Sequence, residues 1–163
     1  MKLTYVLALL AFSTASFAQT GTDFCTQAQT FLDQGKYQDA MKAVGRALVK
    51  DPDNSKCRKI RVSAALKGEP TPENYVQALT DLGYLVDHGD KSETTYRQVG
   101  DAEVGLARFL YQDRDYTNSV KHYGVAKEAF QKAKGVGGDP KIYDRLIEDT
   151  DAYIKQVNSE TKP

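Results

Sequence analysis

The stretch Tyr37-Gln38-Asp39-Ala40-Met41-Lys42-Ala43-Val44-Gly45 decides the fold, because its skeleton occurs three times in the chain. A tyrosine is followed three positions later by a small residue, four positions after that by an apolar one, and then at once by Gly. Tyr75, Ala78, Leu82 and Gly83 repeat this order, and so do Tyr116, Ser119, Tyr123 and Gly124. The copies start 38 and then 41 residues apart, in a chain that has only 12 Gly with which to match them by chance. Steps of three and four set the first three positions on one side of a helix, with a small residue where another backbone comes close. A Gly inside a helix costs about 1 kcal/mol relative to Ala, so three at equivalent positions point to tight packing; tolerated surface glycines are the plainer alternative.

Outward from each copy, apolar stripes at helical spacing end at turn residues. Phe24, Ala28 and Phe31 stop near Gly35; Cys57, Ile60 and Ala64 stop at Gly68; Leu106, Ala107 and Leu110 stop before Asp115. Thr71-Pro72 and Asp139-Pro140 read as an N-cap followed by a first-turn proline. These signals predict helices over 23–34, 38–50, 55–67, 73–87, 93–112, 116–134 and 140–157, with no stretch alternating as a strand. The expected fold is all-α: three helix pairs and one closing helix.

The first pair resembles a tetratricopeptide repeat through Phe24, Ala28, Phe31, Gly35, Tyr37, Ala40, Ala47 and Pro52. The third pair matches through Leu106, Ala107, Leu110, Tyr116, Tyr123 and Ala126, with Ser119 at a position that is usually Ala. The middle pair fits through Tyr75 and Ala78, while Glu69-Pro70-Thr71-Pro72 lengthens its internal turn. The intervals exceed the family's repeat of about 34 residues. The resemblance implies a short right-handed α-solenoid over 19–158, in which each pair buries one face only when its neighbour stacks on it. The helix beginning at Lys141 would cap the array, turning Asp144, Arg145, Glu148, Asp149 and Lys155 to solvent, ahead of a flexible tail at 159–163. That stacking would set Cys25 and Cys57 side by side as a disulfide, with two buried thiols as the alternative. Neither Cys-x-x-Cys nor haem-attachment spacing is present, so the pair does not suggest redox catalysis.

Residues 1–18 read as a secretory leader. Lys2 opens it, Leu3 to Phe12 form an apolar run, and Ser16-Phe17-Ala18 is a small-x-small cleavage site. An uncleaved anchor is the alternative; no Cys directly follows the run, which argues against lipidation. The 163-residue chain less this leader leaves 145 residues, enough for one domain. Export to the periplasm or beyond the cell is therefore expected, and disulfides persist in such compartments. The chain carries 22 Lys and Arg against 22 Asp and Glu, and Lys2 lies in the leader. Near-neutral charge disfavours a general nucleic-acid binder, and nothing after Ala18 approaches the roughly 20 apolar residues of a membrane span.

Reaction chemistry has little support. His88 and His122 lack metal-ligand spacing; His88 reads as a helix-end residue. No nucleophile elbow or phosphate-binding loop occurs, and Gly135-Val136-Gly137-Gly138 reads as a flexible linker into the closing helix. Asp51-Pro52-Asp53 and Asp113-Arg114-Asp115 fit turns better than calcium loops. No metal or cofactor is expected.

The concentration of charge lies at Lys56, Arg58, Lys59, Arg61 and Lys67, within a segment that contains no acid. In the family this segment resembles, the first helix of each pair lines the concave face. Lys56 and Lys59, with Gln29 and Asp33 from the first pair and Arg108 and Tyr111 from the third, are thus the expected partner-binding residues. An acidic peptide or a free carboxylate is the expected ligand class. A solvated basic face is the structural alternative, and the family's peptide-carboxylate clamp does not match residue by residue. The expected function is a non-enzymatic protein-interaction module or adaptor in the cell envelope. An exported small-ligand binder or enzyme with a pocket between helices is the second reading; a helical bundle with structural duty in an envelope assembly is the third.

Overall fold

The computed structural model describes residues 20–160; the expected leader and residues 161–163 of the expected tail lie outside that range. Seven helices follow one another: α1 Gly21–Asp33, α2 Tyr37–Lys50, α3 Ser55–Lys67, α4 Pro72–Asp87, α5 Glu93–Gln112, α6 Tyr116–Gly135 and α7 Pro140–Glu160. No strand occurs among the described residues. The all-α expectation holds, and every expected helix lies within three residues of its observed ends. The largest difference is at the C-terminus, where α7 runs to Glu160, so Ser159 and Glu160 of the expected tail are helical.

Local chemistry explains these boundaries. Side chains of Thr20, Asn54, Thr71, Ser92 and Asp115 accept hydrogen bonds from backbone N–H groups in the first turns of α1, α3, α4, α5 and α6. Those donors have no partner within the helix, so each cap satisfies a group that would otherwise turn to water. Thr20 and Asp23 complete a reciprocal capping box. Four helices end in the same double hydrogen bond. For α6, Gly138 N–H donates to Ala133 O and Gly137 N–H to Lys134 O. This Schellman motif needs a left-handed residue, and Gly137 supplies it with φ 114°. Gly35 and Gly89 serve α1 and α4 alike, whereas α5 uses Arg114 at φ 64°. The segment 135–138 is therefore an ordered turn rather than a flexible linker: Gly138 is buried, and a Cβ there would strike the Tyr143 ring.

Packing is sequential. Apart from a contact of α1 with α3, the main helix contacts join each helix to the next, as in a solenoid. Alanines occupy the crossings: Ala28, Ala40, Ala47, Ala78, Ala107 and Ala126 are all fully buried. Small side chains there let helix axes approach to about 8 Å. The buried side chains form four clusters rather than one central core, the last two of them side by side among α5, α6 and α7. Ser119 stands where its counterparts are Ala40 and Ala78, and its hydroxyl donates 2.9 Å to the carbonyl of Ala107. The buried polar group is thereby satisfied. Cys25 of α1 and Cys57 of α3 are disulfide-bonded with Cα atoms 5.4 Å apart.

The three repeated glycines do not pack. A Cβ built at Gly45, Gly83 or Gly124 meets nothing within 4 Å, which overturns the expectation of close backbone approach. Within the helices, the glycines where a Cβ would strike a neighbour lie in α5. A Cβ at Gly100 would enter the Phe130 ring of α6, and one at Gly105 would enter the Tyr75 ring of α4. The first three positions of the repeat behave as read: Ala40, Ala78 and Ser119, like Val44, Leu82 and Tyr123, are buried.

Candidate functional site

The basic helix α3 divides its charges between the interior and the surface. Asp81 of α4 is fully buried, and Arg61 grips it with Nε at 2.6 Å from one oxygen and Nη2 at 2.7 Å from the other. Arg58 Nη1 donates to the same carboxylate at 2.8 Å, and its Nη2 donates 2.7 Å to the carbonyl of Pro52. The Arg58 guanidinium also lies 3.8 Å from the centre of the Tyr84 ring. Tyr84 in turn donates to Asp53 at 3.0 Å and stacks on His88. Burial, with the Asp53 carboxylate as the next cause, raises the Tyr84 hydroxyl above its ordinary pKa. Arg58 and Arg61 are thus internal struts, so neither the ligand-binding nor the solvated reading describes them.

Lys56 and Lys59 point outward. With Gln29, Leu32, Ile60 and Ser63 they line a shallow hollow of about 150 Å³ between α1 and α3. Lys59 is shared with Asp90 at 2.7 Å, whereas Lys56 forms no ion pair among the described residues. The amide nitrogen of Gln29 donates to Asp33 at 2.8 Å, holding both side chains on the surface of α1.

Arg108 and Tyr111 sit apart from this group, on α5 facing α7. Together with Tyr123, Tyr153 and Gln156 they line a hollow of about 190 Å³. Arg108 donates 3.3 Å to the Tyr153 hydroxyl and lies 5.4 Å from that ring's centre. The Tyr123 and Tyr153 rings stack at 5.3 Å. Tyr111 donates to Glu160 at 2.5 Å, and this bond raises its hydroxyl above the ordinary phenol pKa. A neighbouring hollow of about 260 Å³ continues along α5 past Arg108 and Gly105 to Tyr75. The six expected residues therefore fall into two clusters on odd-numbered helices rather than one continuous basic strip. The aromatic lining supplied by Tyr75, Tyr123 and Tyr153 was not expected from sequence, although Tyr75 and Tyr123 stand in the repeat skeleton.

Among the described residues no group of three or more His, Cys, Asp or Glu is placed to hold a metal ion. His122 Nδ1 lies 2.5 Å from Glu103, and His88 Nδ1 lies 2.8 Å from the carbonyl of Tyr84, at the end of α4. No described helix is long and apolar enough to cross a membrane.

Fold and surfaces define a helical-repeat array with tyrosine-lined and arginine-lined hollows on the side of its odd-numbered helices. No protein-family model matches the chain, and no curated protein matches it. Among solved structures it is similar to the crystal structure of the Sgt2 TPR domain from Aspergillus fumigatus, at a TM-score of 0.49 and 19% identity over 88% of this chain and 84% of that one.

Proposed function

We propose that the chain is an exported, non-enzymatic adaptor that binds a protein or peptide on the side formed by α1, α3, α5 and α7. The hollow around Arg108, Tyr111 and Tyr153 carries this reading. Arginine and tyrosine supply much of the energy at protein interfaces because each combines a broad, stiff contact area with a polar end. Arg108 is held over an aromatic ring and forms no ion pair within 4.0 Å among the described residues, so its charge is available to a carboxylate of the partner. Lys56, with Lys59, adds a second cationic contact at the other end of that side. An acidic peptide segment fits both. The leader-like start and the Cys25–Cys57 pair support export to the periplasm or beyond.

The small-ligand reading has less support. The hollows are open grooves of about 150 to 290 Å³, small beside the roughly 300–1,000 Å³ of typical ligand pockets.

Photo-crosslinking in the producing cells tests the proposal. A crosslinking amino acid is placed at Tyr111 or Lys59, and as control at Val49, which is 84% exposed on α2. A discrete protein adduct from the first two positions, absent at Val49, is expected. Adducts at all three positions, or at none, reject the reading. Mass spectrometry of the purified N-terminus, expected at Gln19, tests export separately.

A further inference from the structure

The opposite side of α5 carries a second groove. Tyr96, Val99 and Glu103 form its floor; at 100° per residue they lie nearly opposite Asp101, Gly105 and Arg108 on the helix. Leu79, Gly83 and Val86 of α4 make one wall, and Val125 and Ala129 of α6 make the other. The groove measures about 280 Å³, too small to enclose a drug-sized molecule but enough for a few anchoring side chains.

Three features make this groove a seat for another helix. Leu79, Val86, Val99, Val125 and Ala129 give it an apolar strip, and exposed valines stand on the same faces: Val125 is 44% exposed, and Val76, on the same face of α4 as Gly83, is 51% exposed. Gly83 removes a side chain from one wall although nothing in the chain fills the space it leaves. The charge around the groove is acidic. Asp87 and Glu128 stand exposed at the walls with no ion pair within 4.0 Å among the described residues, and Glu103 lies at the floor beside His122. Lys132 is the one cation in the lining. We propose that the groove between α4 and α6 docks an amphipathic helix of a partner protein, apolar on the face that enters and rich in lysine or arginine along its borders. Helices set their side-chain ridges into grooves between neighbouring helices, and opposite charges at the rim fix the register. This surface is separate from the one around Arg108, and the proposal does not depend on that one.

A displayed library of helical peptides of about 18 residues, with both border charge and apolar positions randomised, provides the probe. Selection on the purified full chain should enrich peptides with an apolar stripe flanked by Lys or Arg. Their affinity, read by fluorescence anisotropy, should fall roughly tenfold or more in Gly83→Gln, which fills the groove, and in the double variant Asp87→Asn, Glu128→Gln. It should also fall as salt is raised, and stay within about twofold in Tyr111→Ala on the other side. Gly83→Gln places its side chain in open space within a helix, so the fold is retained, as circular dichroism would verify. Enrichment of acidic peptides, binding indifferent to Gly83→Gln, or no enrichment overturns the proposal. A dimer in sedimentation that Gly83→Gln dissolves overturns it in favour of a second copy of this chain as the occupant.

Discussion

Asp81 has no exposed surface, yet it is held by two arginines through three hydrogen bonds. Its desolvation is offset only while both partners remain, so Asp81→Asn should destabilise the protein by about 3 kcal/mol, measured by urea unfolding. Asp90 gives an acid limb to stability. The Lys59 ammonium first, then the Ser92 and Thr95 groups, draw its carboxyl from 3.8 down to about 2. A depressed pKa means that this contribution is complete well above the unfolded value and disappears as pH falls from about 4 towards 2. Asp90→Asn should remove that portion of the slope in unfolding measured from pH 7 to 2, leaving the neutral region level. Arg114 is the one described non-glycine residue with positive φ, in a motif that uses Gly35, Gly89 and Gly137 at the other three helix ends. Its guanidinium is in no described ion pair, so Arg114→Gly should raise stability by up to about 1 kcal/mol, seen as a higher melting temperature.

The helices were legible because their stop and start signals are local. Thr71, read as a cap from the sequence, accepts from the Asn74 N–H three residues on, and the structure shows Asn54 and Ser92 capping α3 and α5 over the same short span. What those signals omit is which side of a helix meets which neighbour. Counting charge on α3 did not reveal that Arg58 and Arg61 reach Asp81, 23 and 20 residues further along the chain. The repeated glycines were misread for the same reason: regular spacing marks an equivalent position but not what stands opposite it. Gly100 and Gly105 lie outside the repeat skeleton, and the rings that require them come from other helices. The contrast yields a paired test on neighbouring elements. Gly83→Ala should stabilise α4 by up to about 1 kcal/mol, since helix propensity improves and space is free. Gly105→Ala should destabilise by about 1 to 3 kcal/mol, because Tyr75 must leave its seat. Both are read from melting temperatures; two changes of the same sign would contradict the packing described for α4 and α5.

Across the whole molecule, stability is distributed along a line. The cluster around Phe24, Cys25 and Val44 reaches only as far as Cys57 and Ile60 of α3, whereas α5 and α6 share the most extensive contact between any two helices. The hairpin α1–α2 has a stacked neighbour on one side among the described residues, and the disulfide across 32 residues is its covalent tie to the next repeat. By the chain-entropy estimate such a link contributes about 3 to 4 kcal/mol. In a globular core that loss would be felt everywhere, but in an array coupled through nearest neighbours it falls chiefly on the terminal repeat. Hydrogen exchange followed by mass spectrometry should therefore show faster exchange in α1 and α2 of the Cys25→Ala, Cys57→Ala variant, with α5 and α6 unchanged. If protection instead declined uniformly through all seven helices, the chain would unfold as one cooperative unit, and the α1–α3 surface bearing Lys56 could not be ordered or released independently of the hollow at Arg108.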